Sequence, residues 1–218
     1  MSAEARFDGG QGKMTTGALR IALAGNPNCG KTTVFNAYTG ARQHVGNYPG
    51  VTVDRKEGHV RHGNADITLV DLPGTYSLTA YSMEELVARA ELGSGDVQAV
   101  INVVDASALE RNLLLTVQMM EMGLPVVLVC NMMDEARKAG VHIDMERLSA
   151  MMGIPVVSAV ARTGEGLQQA LGEAVRLAGE GRHQVLELNY GADIDEGLRA
   201  MCAIINREGL LKKYAPHW

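Results

Sequence analysis

The chain has 218 residues, enough for one domain of ordinary size plus a small appendage, with a formal net charge of −5. This acidic balance argues against nucleic acid as a main partner. The three cysteines lack CxxC spacing, and every apolar run is far shorter than the roughly 20 residues of a membrane span. We therefore expect a soluble protein with reduced thiols in the cytosol.

Residues 1–18 are rich in Gly and other small residues and lack the apolar core of a signal peptide, so we expect a disordered lead. After it, apolar runs alternate with stretches of helical period, which is typical of a doubly wound α/β domain. The runs predict strands at Leu19–Ala24, Val53–Arg61, Ile67–Asp71, Ala99–Val104, Val126–Cys130 and Pro155–Ser158. The polar Val53–Arg61 strand suits an antiparallel edge, joined by the turn residues 62–65 to the strand after it. We predict a mostly parallel six-stranded sheet with one antiparallel edge strand and helices on both faces.

Two helical stripes lie between the later strands. One consists of Leu109, Leu113, Val117 and Met120, and the other runs from residue 167 to 178 and ends near Gly179. The polar stretch 179–184 indicates a linker. We assign residues 19–180 to the main domain. Residues 185–218 carry one more amphipathic stripe, which either packs back on the main domain or, as we favour, begins a truncated helical subdomain.

The first functional motif is GNPNCGKT, which fits G-x-x-x-x-G-K-[ST] between a strand and a helix. In such a loop the backbone N–H groups surround the β-phosphate, Lys31 donates to the β and γ oxygens, and the Thr32 hydroxyl ligates Mg²⁺. A chance match in a Gly-rich loop is the alternative, and the flanking strand and helix count against it. The nucleotide-binding residues predicted here are Gly25, Asn26, Pro27, Asn28, Cys29, Gly30, Lys31, Thr32 and Thr33.

Three further motifs follow at strand ends. In DLPG, Asp71 would reach Mg²⁺ through water and the Gly74 N–H would meet the γ-phosphate, although the same letters also make a good turn. NMMD contains Asn131, Met132 and Asp134, and the Asp134 carboxylate would accept both N–H groups of guanine. Without the other motifs, Asp134 would be better interpreted as the cap of a helix. In SAV (Ser158, Ala159, Val160), the Ala159 N–H would meet the guanine oxygen.

The order of the four motifs decides between these readings, because all four occurring by chance at successive strand ends is improbable. We therefore predict a P-loop GTPase domain. A Thr between the first helix and the Ile67–Asp71 strand should complete the Mg²⁺ shell. Thr39 belongs to the helix, so Thr52 is the candidate, in a mobile loop with Pro49 and Gly50. A plain surface loop remains the alternative.

The motifs GNPNCGKTTVFNAYTG, VGNYPGVTVDRKEG, DLPGTYSL, NMMDEA and SAVARTGEG together resemble the N-terminal cytosolic GTPase domain of the FeoB family of bacterial ferrous iron transporters. The resemblance runs from about Arg20 to Leu177. It implies GTP hydrolysis in a cytoplasmic domain of an inner-membrane protein, whose permease domain is the partner. LNYGADIDEGL and KYAPHW resemble the opening of that family's helical regulatory subdomain.

The family also resembles potassium-activated GTPases, in which the Asn of G-x-P-N holds K⁺ where other switches receive an arginine finger. The resemblance assigns that role to Asn28, with a plain turn residue as the alternative. Thr75 stands where many GTPase switches carry the Gln that positions the attacking water. Lys31, Thr52 and Gly74 complete the predicted catalytic set.

Two other functions remain open from the sequence. A soluble GTPase of ribosome assembly or RNA modification can share the G-x-P-N loop, although the acidic balance speaks against an RNA-binding appendage. A GTP sensor with negligible turnover is consistent with the missing Gln. The sequence supports no Fe²⁺ site, and it leaves a homo-oligomer open.

Overall fold

The computed structural model describes residues 18–40, 42–180 and 190–208, with one seven-stranded sheet as the central element. In chain order the strands are β1 (Leu19–Gly25), β2 (Gln43–Asn47), β3 (Asp54–His62), β4 (Ala65–Asp71), β5 (Ala99–Asp105), β6 (Val126–Asn131) and β7 (Val156–Ser158). They lie in the order β2-β3-β4-β1-β5-β6-β7, and each neighbouring pair from β4 to β7 is parallel. This arrangement confirms the predicted doubly wound α/β fold.

Helices cover both faces of the sheet because side chains alternate along each strand. They are α1 (Lys31–Thr39), α2 (Met83–Gly93), α3 (Leu109–Glu121), α4 (Met133–Lys138), α5 (Met145–Met152), α6 (Leu167–Glu180) and α7 (Ala192–Glu208). In β1, Ile21 and Leu23 belong to the cluster that includes α1 and α6, whereas Ala22 and Ala24 belong to the cluster that includes α2 and α3. Full burial of a side chain such as Leu23 contributes about 1.5–3 kcal/mol to stability.

The strand count and the position of the edge differ from the prediction. The structure adds β2, which pairs antiparallel with β3, so the predicted edge strand lies inside the sheet. Most β2 residues are exposed, and the strand therefore lacks the apolar alternation that reveals a strand in a sequence. The predicted hairpin between β3 and β4 is confirmed, with His62 opposite Ala65.

The buried face of α3 is rotated relative to the predicted stripe. Leu115, Thr116 and Met119 face the sheet, and Asn102 of β5 donates to the Thr116 hydroxyl at 2.6 Å. Leu113 is only partly buried and packs instead in the cluster that includes α4. The helix therefore contacts two neighbours, and its polar contact to β5 is invisible to a search for apolar spacing.

The C-terminal helix α7 has no buried residue, and its Ile194 and Met201 are 56% and 55% exposed. The Tyr190 hydroxyl, just before α7, donates to the Glu121 carboxylate at the end of α3. Within the described ranges, no helix combines the length and apolar content that a membrane crossing requires. The predicted lead up to residue 17, the linker residues 181–184 and the chain after 208 lie outside the described residues, so the assigned domain boundaries remain predictions.

We expect Gly58→Ala to destabilise the fold, because β3 approaches the end of α1 at this glycine. A Cβ at position 58 would overlap the Thr39 Cγ2 methyl and lie 2.8 Å from Thr39 Cβ. Thr39 is fixed in turn by the bond from its hydroxyl to the Phe35 carbonyl oxygen at 2.8 Å. The expected loss in the free energy of unfolding is about 1–3 kcal/mol, measured by urea denaturation without nucleotide.

Gly46→Ala in the neighbouring strand β2 is the matched control, because a Cβ at position 46 would meet no heavy atom within 4 Å. Its free energy of unfolding should change by less than about 0.5 kcal/mol. Equal losses in the two variants would show that the glycines act through strand propensity rather than through contact with α1.

Candidate functional site

The loop of residues 26–30, between β1 and α1, has a backbone suited to surround an anion. Asn28 and Gly30 adopt left-handed conformations, with φ of 66° and 85°. No side chain caps the start of α1, which begins at Lys31. The first N–H groups of the helix therefore remain for a ligand, and the helix dipole favours a negative one.

An ion pair joins the predicted phosphate lysine to the predicted Mg²⁺ aspartate. Lys31 Nζ contacts Asp71 Oδ1, and the two side chains are only 10% and 6% exposed. Asp71 lies at the end of β4, whose register places it opposite Leu23 of β1. These two buried charges therefore neutralise each other.

The segment after Asp71 packs directly on the phosphate loop. The Thr75 N–H donates to the Gly25 carbonyl oxygen at 3.2 Å, and a Cβ at Gly74 would lie 3.5 Å from the Pro27 backbone. Thr75 itself is only 5% exposed. Gly74 thus lies over the phosphate loop, and its predicted contact with a γ-phosphate stays a prediction.

Two cavities adjoin at this edge of the sheet. The first, of about 360 Å³, is lined by Asn26, Pro27, Asn28, Gly30, Lys31, Thr32, Gly74 and Met132. The second, of about 260 Å³, is lined by Gly30, Thr33, Asn131, Met132, Asp134, Glu135, Val160, Ala161 and Arg162. They share Gly30 and Met132, so an elongated ligand with one anionic end can occupy both.

Asn131 fastens the phosphate loop to the loop after β7. Its Nδ2 donates to the Cys29 carbonyl oxygen at 2.9 Å, and its Oδ1 accepts from the Ala161 N–H at 2.9 Å. A Cβ at Gly30 would overlap the Asn131 amide, so this approach requires a glycine. Asn131 therefore holds the two loops together, a structural role that the NMMD motif alone did not reveal.

Asp134 stands in the first turn of α4 and lines the second cavity. Its Oδ2 accepts from Arg162 Nη2 at 3.0 Å, and the two side chains are 27% and 76% exposed, Asp134 being the less exposed. An exposed pair of this kind contributes at most about 1 kcal/mol, so a ligand can displace it. Arg162 was not among the predicted site residues, although it lies two positions after the SAV motif in the same loop.

The prediction that the Ala159 N–H faces a base is wrong. Ala159 is fully buried, and its N–H donates to the Cys130 carbonyl oxygen at 2.9 Å. Ser158 lies in β7, and its Oγ is buried without a partner in the structure. The cavity begins only at Val160, because the sheet contact continues one residue past the point that the sequence pattern suggests.

The structure does not bring Thr52 to Thr32 and Asp71. Thr52 is exposed in the loop between β2 and β3 and lines neither cavity. The Tyr48 N–H donates to the Val53 carbonyl oxygen at 3.0 Å, and the Tyr48 side chain is buried. The loop is therefore closed on itself, away from the phosphate loop.

Tyr48 covers a network of charged residues. The Arg55 guanidinium lies 5.6 Å from the centroid of the Tyr48 ring and donates to Glu57 at 2.7 Å. Arg20 bridges Glu57 and Glu91 at 2.8 and 2.6 Å. Burial alone would raise the pKa of Glu57, but its hydrogen bonds to Arg20 and Arg55 outweigh that effect and lower the pKa.

The polar atoms beside the first cavity suit hard cations. The Thr32 hydroxyl and the Asp71 carboxylate are oxygen ligands of the kind that Mg²⁺ takes together with phosphates and water. The described residues contain no group of three His, Cys, Asp or Glu side chains that could hold a metal by themselves. Asn28 is exposed beside the same cavity, whereas burial raises the pKa of the Cys29 thiol to about 11 and keeps it neutral.

Comparison with known proteins gives one consistent family. The model of the family described as ferrous iron transport protein B matches residues 19–174. The Fe(2+) transport protein A/Fe(2+) transporter FeoB fusion protein of Porphyromonas gingivalis is 50% identical over 194 residues, which are 87% of this chain and 23% of that relative. The chain thus spans less than a quarter of the relative's length.

Solved structures agree with the fold. The cytosolic domain of the T. maritima FeoB iron transporter in GDP form I is 38% identical, with a TM-score of 0.86, covering 92% of this chain and 78% of that chain. The GMPPNP form of the same domain is 39% identical, also with a TM-score of 0.86, covering 91% and 78%. The seven-stranded sheet described above is therefore that of a P-loop GTPase domain.

We expect Asn131→Ala to weaken the fold even without a ligand. The variant leaves the buried Cys29 carbonyl and Ala161 N–H without partners, and each such group costs about 1–3 kcal/mol. The free energy of unfolding should fall by roughly 2–4 kcal/mol in urea denaturation. Asn36→Ala is the control, because exposed Asn36 bonds only the Gln43 side chain and should cost less than about 0.5 kcal/mol. Similar losses in both variants would contradict the role given to Asn131.

Proposed function

The chain belongs to the ferrous iron transport protein B family, and we propose that it binds GTP, hydrolyses it to GDP and phosphate, and reports its nucleotide state to a membrane permease. The observation that carries the proposal is the pair of adjoining cavities, one beside Lys31 and one beside Asp134. A guanine nucleotide presents an anionic end and a base with two N–H donors, and these two ends match the two cavities.

Phosphate binding rearranges the charges of the site. The N–H groups of residues 26–30 and of the start of α1 receive the β-phosphate, and Lys31 leaves Asp71 for the β and γ oxygens. The Thr32 and Thr52 hydroxyls and the Asp71 carboxylate would hold Mg²⁺, which would supply the positive charge that offsets the phosphates. Each member of the buried ion pair thereby exchanges one counter-charge for another.

Hydrolysis in this site depends on backbone groups and a monovalent cation. The Gly74 N–H donates to the γ-phosphate, and the attacking water is oriented by backbone groups of Gly74 or of the Thr52 loop, because Thr75 is buried and too short for this task. The Asn28 side-chain oxygen would hold K⁺, which would supply positive charge where the transition state becomes more negative. The Thr52 loop must reach the site, and such ordering around the γ-phosphate is the usual form of a GTPase switch.

Base recognition combines Asp134 with the loop after β7. The Asp134 carboxylate accepts two guanine N–H groups once the base displaces Arg162. In the turn after β7, the Val160 and Ala161 N–H groups already donate to Glu165 and Asn131. The Arg162 N–H has no partner among the described residues, so we propose it as the donor to the guanine oxygen.

The physiological role follows from the family and not from the site. We propose that the chain is the cytosolic domain of a bacterial ferrous iron transporter and that a membrane permease domain is its partner. Residues 185–218 would begin a helical subdomain, consistent with the exposed Ile194 and Met201 of α7. Such an apolar face normally requires a covering element.

We expect turnover to be faster in KCl than in NaCl, and Asn28→Ala to remove the difference. K⁺ can reach phosphate and loop oxygens at once, whereas Na⁺ is too small to span them without distorting the loop. Switches without a supplied charge turn over at on the order of 10⁻⁴ to 10⁻² s⁻¹, so a stimulation of about tenfold is easily measured as phosphate release at equal ionic strength.

Thr75→Ala is the control for this assay, and it should change turnover in KCl by less than about twofold, because the buried Thr75 side chain does not orient the water. Equal turnover of the native chain in both salts would contradict the role of Asn28. Loss of turnover in Thr75→Ala would contradict the backbone account of water positioning.

We expect Asp134→Asn to change the base specificity of the site from guanine to xanthine. Xanthine presents an acceptor where guanine has its amine, so the Asn amide can donate to it. The affinity for GDP should fall by about 100-fold or more, and that for xanthosine diphosphate should rise, in fluorescence titrations of both nucleotides. Unchanged affinity for GDP would remove Asp134 from the base site.

A further inference from the structure

The side chain of Asn26 is an unexplained polar group within the phosphate loop. Asn26 is only 2% exposed, and both its Nδ2 and its Oδ1 are buried without a hydrogen-bond partner. Among the described residues, it is the one asparagine with both amide atoms in this state; Asn102 and Asn112 each have only the oxygen unpaired. A buried, unpaired amide destabilises the chain, so it calls for a functional explanation.

The surroundings of Asn26 suggest where its partner comes from. Gly25, on one side, accepts the Thr75 N–H at 3.2 Å, and Pro27, on the other side, approaches Gly74. The backbone of residues 74–75 therefore packs on both flanks of Asn26. This is also the segment whose N–H group is to meet the γ-phosphate.

We propose that Asn26 is a positioning residue for the triphosphate state, whose amide pairs with the Thr75 N–H and the Gly25 carbonyl oxygen only when Gly74 turns to the γ-phosphate. The inference rests on the proposed function. Rotation of Gly74 breaks the hydrogen bond between Thr75 and Gly25, beside Asn26. The Thr75 N–H and the Gly25 carbonyl oxygen then lack partners. An Asn side chain carries both an acceptor and donors, so one amide can satisfy both groups.

The consequence is a selective contribution to the triphosphate state. With GDP, the segment has no γ-phosphate to contact, so the Thr75–Gly25 bond remains and the Asn26 amide stays unpaired. With GTP, that one backbone bond is exchanged for two bonds to the Asn26 amide, so Asn26 favours the triphosphate over the diphosphate.

Asn26→Leu tests this, because leucine has the same branching pattern and no polar atoms. In the 218-residue chain, the midpoint of thermal unfolding without nucleotide should be unchanged or higher, since no hydrogen bond is lost. The affinity for GMPPNP should fall roughly tenfold more than the affinity for GDP, and kcat should fall roughly tenfold. Asn26→Ala, which avoids the branched side chain, should give the same ratio of the two affinities.

Asn112→Leu is the matched control. Asn112 is also 2% exposed and has an unpaired Oδ1, but it lies on α3 and its Nδ2 donates to the Ala108 carbonyl oxygen. Its substitution should alter thermal stability equally with either nucleotide and leave the ratio of the affinities for GMPPNP and GDP unchanged.

Two results would overturn the inference. A clear drop in the unfolding midpoint of both Asn26 variants without nucleotide would show that the amide already has a partner, such as a buried water. Equal losses of affinity for GDP and GMPPNP would show that Asn26 only shapes the loop. A native chain that binds neither nucleotide would overturn the proposed function itself, and the inference with it.

Discussion

The parallel pairing of β1 with β4 on one side and β5 on the other is the constraint on which the whole site depends. The registers place Leu23 opposite Asp71 and Gly25 opposite Val103, and β6 continues the sheet beside β5. Because parallel strands end at the same edge, segments that are far apart in the chain meet there. The phosphate loop lies in the middle of this edge, between the Asp71 segment and the Asn131 segment.

Several groups at this edge of the sheet lower the stability of the fold and are suited to ligand binding. Lys31 and Asp71 are both almost buried, and removal of one partner from such a pair typically costs 3–5 kcal/mol, because the other charge is left unpaired. Asn26 and Ser158, at this edge, also have buried side-chain atoms without a partner in the structure. A core built only for stability would replace such groups with apolar side chains. Asn26 lines the first cavity, so its unpaired amide fits a surface that completes its hydrogen bonds with a ligand.

The sequence predicted the features that depend on local pattern and on order along the chain. The apolar strands are confirmed, because strand burial and parallel connection largely determine them. It missed β2, whose residues are mostly exposed, and it misplaced the cavity-lining turn at Ala159 instead of Val160–Arg162. A pattern of letters does not show where a sheet contact ends, since that depends on the neighbouring strand.

The position of Thr52 is where sequence and structure differ most, and the surrounding contacts explain it. The Tyr48 ring is buried beside Arg55, and the Arg55–Glu57–Arg20–Glu91 network joins β3, β1 and α2. Moving the loop to the phosphates would disturb the Tyr48 contacts. Glu91 belongs to α2, so the network fastens β3, which follows the Thr52 loop, to β1 and to the helix that comes after the Asp71 segment in the chain. The residues around Thr52 do not show these contacts in the sequence, because the partners Arg20 and Glu91 lie far away in the chain.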